Sequence, residues 1–179
     1  MRKITAGPFI SLDGVVEAPQ TWHFPYLNDE MGAAIGARSA GTDTLLLGRN
    51  TYETFAGAFA NADGDPMAAE LTAKSTVVVS NTLETADWKN TTILRGDPAK
   101  SVAELKSRPG EGIAVSGGTR LVQTLIRDGL LDEPHLLVHP IALGAGGRLF
   151  DDATGRRPMT LTGSSTLTTG VPHLTYQLG

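Results

Sequence analysis

The chain has 179 residues, 40% hydrophobic and 19% charged, with a formal net charge of −4, which fits one ordinary globular domain spanning 1–179. The acidic balance and lack of basic runs argue against nucleic-acid or polybasic membrane partners, and no stretch nears the ~18 apolar residues of a membrane span. With no cysteine there are no disulfides, thiolate metal sites or cysteine nucleophiles, and the N-terminus lacks a signal-peptide pattern, so a cytoplasmic chain is expected.

"KITAGPFISL" reads as a first strand, with a bulge or edge at Pro8. "LNDEMGAAIGARSAG" predicts a small-residue helix ending near Gly41, and "TLLLG" a strand buried on both faces of a parallel sheet. A short helix follows from Asn50, where Asn50 and Glu53 have capping-box spacing. The glycine- and aspartate-rich segment 57–65 is expected to be a mobile loop. Asp65-Pro66 and Asp97-Pro98 each open a helix, aspartate as cap and proline in the first turn. "STVVVS", "TTILR" and "GIAVSGG" are the next strands, and "TRLVQTLIRDG" is an amphipathic helix burying Leu121, Leu125 and Ile126. "HLLVHPIALG" is a strand with His135 and His139 on one face, and the last twenty residues form an antiparallel pair turning near Gly170. The fold class is α/β: a mostly parallel sheet, helices on both faces, an antiparallel C-terminal hairpin.

Two helix starts break the Asp-Pro habit. Gly48-Arg49-Asn50-Thr51 and Gly117-Gly118-Thr119-Arg120 each follow a buried strand, turn on glycine, and put an arginine near the positive end of a helix dipole. That placement costs ~0.3–1 kcal/mol without a bound anion. Both lie where open α/β sheets bind ligands, and helix amides beside arginine suit phosphate. The alternative is that both arginines lie in solvent and the glycines only permit tight turns. His23, between aromatics, reads as a packing residue, with a catalytic role as the alternative; His135, His139 and His173 have no further ligand close in sequence, so no metal site is expected. "LGAGG" at 143–147 reads as a flexible turn, and Asp13 with Gly14 as an Asx-type turn.

"FISLDGVVEAP", "LLLGRNTYETF", "VVVSNTL", "AVSGGTRLVQTLI" and "LLVHPIALGAGGRLF" fall in the order of the dihydrofolate reductase-like superfamily. The chain most resembles its small bacterial branch related to the reductase domain of riboflavin-biosynthesis enzymes. The resemblance implies a mostly parallel eight-stranded sheet and NADPH as cofactor. It implies that Gly48, Arg49, Asn50 and Thr51 meet the pyrophosphate and 2′-phosphate, that Ser80, Asn81 and Thr82 hold the 2′-phosphate end, and that Ser116, Gly117, Gly118, Thr119 and Arg120 cradle the pyrophosphate. It further implies that Ser11, Asp13 and Gly14 border nicotinamide and substrate, with Asp13 orienting the substrate or relaying a proton, and that Trp22 and Phe24 line the substrate pocket. Homodimerisation is implied by the resemblance alone.

One position departs from the pattern. Dihydrofolate reductases place a carboxylate five residues after a tryptophan, and here that position is Leu27. Asp29 and Glu30 are near, but two residues on a helix turn a side chain by about 200°. The expected activity is therefore NADPH-dependent reduction of a small heterocyclic or imine-type substrate, similar to the 5-amino-6-(5-phosphoribosylamino)uracil reductase of riboflavin biosynthesis. Arg148 is the one candidate for a substrate phosphate. The rival readings are a ligand-binding module without catalysis and an interaction protein with no nucleotide site.

Overall fold

Gly7 and Pro8 set the first feature. In the computed structural model, which describes residues 1–179, the expected first strand is two, β1 (Ile4–Ala6) and β2 (Phe9–Ser11). Pro8 has no N–H for a continuous ladder, so the strand breaks there. Both pieces pair in parallel with β7 (Glu133–His139), Ala6 opposite Pro134 and Phe9 opposite Leu137. The sheet consequently counts nine strands rather than eight.

The other strands are β3 (Thr42–Gly48), β4 (Ser75–Val79), β5 (Thr91–Leu94), β6 (Gly112–Val115), β8 (Met159–Thr166) and β9 (Pro172–Leu178). Their order is β5-β4-β3-β6-β1-β7-β9-β8, with β2 against β7. The strands from β5 to β7 run parallel. β9 returns antiparallel to β7 and β8 to β9, and the hairpin turns at Gly170 with φ 81°.

Alternation along β3 divides the core. Leu46 joins Ile4, Ile113 and Val115 under α4 (Pro98–Ser107) and α5 (Thr119–Arg127), while Leu45 and Leu47 pack with Tyr52, Val78 and Trp88 on the other face. Each fully buried leucine is worth ~1.5–3 kcal/mol. On that second face lie α2 (Arg49–Phe59) and α3 (Pro66–Ala73), and α1 (Asp29–Ala40) packs Met31 against Leu137, Leu167 and Val171. No helix is long and apolar enough to cross a membrane.

The helix starts fall into two groups. Asn28 caps α1, Asp65 caps α3 and Asp97 caps α4, each by a side-chain oxygen accepting from backbone amides. α2 and α5 begin from Gly48 and Gly118 with no side-chain cap. The expected capping box does not form. Gly48, extended at φ −82°, ψ 166°, is itself the cap, so Asn50 lies second in the helix and Glu53 instead pairs with Arg49. The helix also runs on to Phe59, through the start of the segment expected to be loop.

Candidate functional site

Parallel strands deliver their carboxyl ends to one edge, and the turns singled out in the sequence follow those ends. Gly48 closes β3, Ser80 follows β4, Ser116 follows β6 and Ser11 closes β2. Gly117 (φ 60°) and Gly118 (φ 70°) are both left-handed, a conformation only glycine adopts at no cost. A Cβ on Gly117 would lie 2.7 Å from Thr51 Oγ1 and Cγ2, and one on Gly118 would lie 3.9 Å from the Gly48 nitrogen. The β6–α5 turn thus packs directly on the β3–α2 turn. Two helix N-termini without side-chain caps meet there, and helix N-terminal amides favour an anion.

Arg49 is anchored beside them. Its Nε donates to Glu53 Oε1 at 2.8 Å and its Nη1 to Thr82 Oγ1 at 2.9 Å, which joins the β3 and β4 turns. Ser80 Oγ accepts from the amides of Thr82 (3.2 Å) and Leu83 (3.0 Å), and Asn81 pairs twice with Gly96, through Nδ2 to the carbonyl and Oδ1 from the amide. Ser80 and Asn81 therefore build the turn that presents Thr82. Asn50 is exposed, as is Arg120, whose side chain makes no hydrogen bond within the protein.

Asp13 is the hinge of the second half of the edge. Its carboxylate accepts from Ser11 Oγ (2.6 Å), the Gly144 amide (2.7 Å) and the Leu143 amide (3.1 Å). The Ser11 hydroxyl first, then the two amides, hold its carboxyl far below the usual carboxylate range. The 143–147 run is not a free turn. Val16 donates to Gly147 O (2.9 Å), Leu149 to Gly14 O (3.0 Å), and Glu17 Oε2 accepts from the Gly147 amide (2.5 Å). Arg148 Nε donates to Asp13 O at 3.1 Å. Gly146 has no room for a side chain, since a Cβ would meet Val15 Cγ1 at 2.8 Å. Glu17 and this docking had no local signal in the sequence, because the partners are some 130 residues apart.

Beyond this platform lies an aromatic cluster centred on His139, which is fully buried with Nδ1 on Leu137 O at 2.8 Å. Phe9, Trp22 and Tyr26 set their rings edge-on to it at 5.1–5.6 Å, and His23 stacks on Phe9 at 4.4 Å. Trp22 is buried, its Nε1 on Glu17 O, whereas Phe24 is 59% exposed. Burial pushes the His23 and His139 pKa values down. Leu27 supplies no acid, and Glu30 is engaged by Thr168 and Asn28.

Comparisons with known proteins agree with this architecture. The family model of the RibD C-terminal domain matches residues 2–172. The Bacillus subtilis (strain 168) protein YyaP, itself uncharacterised, is 28% identical over 98% of this chain and 94% of its own. A candidate riboflavin biosynthesis protein from Shewanella sp. PV-4 superposes with a TM-score of 0.80 at 21% identity, covering 99% of both chains. Dihydrofolate reductase from Enterococcus faecalis, solved with NADP(H), superposes with a TM-score of 0.66 at 15% identity, over 99% of this chain and 96% of that one.

Proposed function

The chain belongs to the RibD C-terminal domain family, and from that premise we propose that it is a reductase using NADPH to reduce a small heterocyclic or imine-type substrate. The observation that carries the reading is the seating of Gly117 on Thr51, which joins two uncapped helix starts in a chain that caps its other three. The cradle fits a dinucleotide with more than one phosphate. The amides at the starts of the two helices, from Arg49 to Thr51 and from Gly117 to Arg120, hold the pyrophosphate, with Ser116 tied to Leu46 O at 3.3 Å behind them and the Arg120 side chain free to swing onto it. Arg49 and Thr82 hold the 2′-phosphate, on a turn built by Ser80 and Asn81.

When bound, the cofactor supplies the hydride. The chain's own part is to bind, orient and exclude water. Ser11, Asp13 and Gly14 fix the 141–149 segment against the site, and Asp13 orients the substrate or relays a proton from that fixed position. Trp22 and Phe24 border the substrate end beside the His139 cluster.

A second reading, a ligand-binding module without catalysis, is favoured by Leu27 in place of a carboxylate. Calorimetric titration with NADPH and NADH, then NADPH oxidation against pterins and pyrimidines, separates the two. The reductase predicts saturable NADPH binding and turnover with at least one substrate. Binding without turnover favours the module, and no binding of either cofactor removes both.

A further inference from the structure

Arg95 follows β5, and its side chain crosses to the turn after β4. Nη2 donates to Leu83 O at 2.6 Å and Glu84 O at 3.2 Å, and Nη1 to Asn81 O at 3.5 Å. Those carbonyls stand on both sides of Thr82, the residue whose hydroxyl accepts from Arg49 Nη1. The stem of Arg95 is fixed as well. The Ser80 amide donates to Leu94 O at 3.0 Å, Ser101 Oγ donates to Arg95 O at 3.0 Å, and Asn81 holds Gly96 through both its side-chain polar atoms. Gly96, left-handed at φ 91°, turns the chain away directly afterwards.

Charge distinguishes the two arginines on this turn. Arg49 is paired with Glu53, whereas Arg95 bonds only to neutral carbonyls and forms no ion pair. Carbonyl oxygens only accept hydrogen bonds, so any left free beside a phosphate would repel it. A planar guanidinium can hold several of them at once, where an ammonium is a point donor. Arg95 withdraws three acceptors from the turn and leaves a positive charge in their place. The same bonds fix the orientation of Thr82, and through it the seat of Arg49.

We propose that Arg95 is a positioning residue for the 2′-phosphate, setting the preference for NADPH over NADH by holding Thr82 and Arg49 in place. The inference rests on the NADPH reading of the cradle and adds to it the carboxyl end of β5, alongside those of β3, β4 and β6. A brace with no part in recognition would support the fold and leave that preference untouched.

Calorimetric titration of Arg95→Met and Arg95→Lys with NADPH and NADH, beside amide exchange at Thr82 and Leu83, tests the proposal. Arg95→Met, which keeps the apolar stem, should weaken NADPH roughly tenfold and NADH less than about twofold. Arg95→Lys keeps the charge but loses the fork, so NADPH should weaken by about threefold. The Thr82 and Leu83 amides, which donate to Ser80 Oγ, should exchange at least about tenfold faster in Arg95→Met. Equal losses for the two cofactors, or wild-type exchange at both amides, overturn the proposal even where NADPH binds the wild type. Should Arg95→Met not fold, Arg95→Lys carries the same comparison with the smaller expected shift. A wild-type protein that binds neither cofactor overturns the NADPH reading itself, and this inference with it.

Discussion

Gly117→Ala probes the contact on which the site is built. The added Cβ forces a left-handed backbone on a non-glycine residue, at ~1 kcal/mol. It also arrives 2.7 Å from two atoms of Thr51, an overpacking of ~1–3 kcal/mol. The variant should therefore lose about 2–4 kcal/mol in urea unfolding, a large share of the ~5–15 kcal/mol typical of a domain. NADPH affinity should fall by more than about tenfold, because the two sets of amides are pushed apart. Thr51→Ala in the same background removes Oγ1 and Cγ2 and leaves a Cβ contact of 3.3 Å. It should restore the packing share and leave the backbone share, giving a coupling of at least ~1 kcal/mol in the double-mutant cycle. A Gly117→Ala protein within ~0.5 kcal/mol of wild type that binds NADPH normally would refute the packing of these two turns.

Arg49→Ala should weaken NADPH about tenfold and NADH little; equal losses in parallel titrations would remove Arg49 from 2′-phosphate recognition. Glu53→Gln should cost no more than ~0.5 kcal/mol, as the exposed i,i+4 pair with Arg49 predicts, while Asp65→Ala and Asp97→Ala should each cost ~1 kcal/mol as lost caps; equal costs in urea midpoints would restore the capping box. Asp13→Asn should loosen residues 141–149, seen as faster amide exchange, and lower turnover with NADPH affinity kept; in the wild type the segment should stay protected at pH 4, since the folded carboxyl titrates well below its unfolded value of ~3.9. His23, His135, His139 and His173 all have pKa values lowered chiefly by burial. The unfolded chain thus binds more protons below the unfolded value of ~6.5, so stability is full above it and falls as pH drops toward the folded values; a urea midpoint in gluconate buffer that is flat from pH 7.5 to 5 would contradict this.

What could be read from the chain was whatever is decided locally. Asp65-Pro66 and Asp97-Pro98 specify their helix starts within three residues, and apolar runs such as "TLLLG" carry enough pattern to place a buried strand. The common edge of the Gly48 and Gly117 turns follows once those strands are parallel. The capping box misled because its spacing is also that of an i,i+4 neighbourhood shifted by one residue, and only the extended Gly48 backbone decides between them. His173 found its partner, His135, 38 positions away across a strand pair. "LGAGG" looked mobile because its restraints, Asp13 and Glu17, lie at the other end of the chain.

The position of β6 has a consequence for synthesis. β1 pairs only with β6 and β7, and β3 pairs only with β4 and β6. As the chain leaves the ribosome, β3, β4 and β5 can assemble into a three-stranded unit, while the first strand must wait, unpaired, for residues 112–115 to arrive and bridge the gap. More than a hundred residues of delay leave Ile4 and Ala6 without their core until the middle of the sheet is inserted. β1 is thus secured long after it is made, and that interval is when it most needs protection from association with other chains.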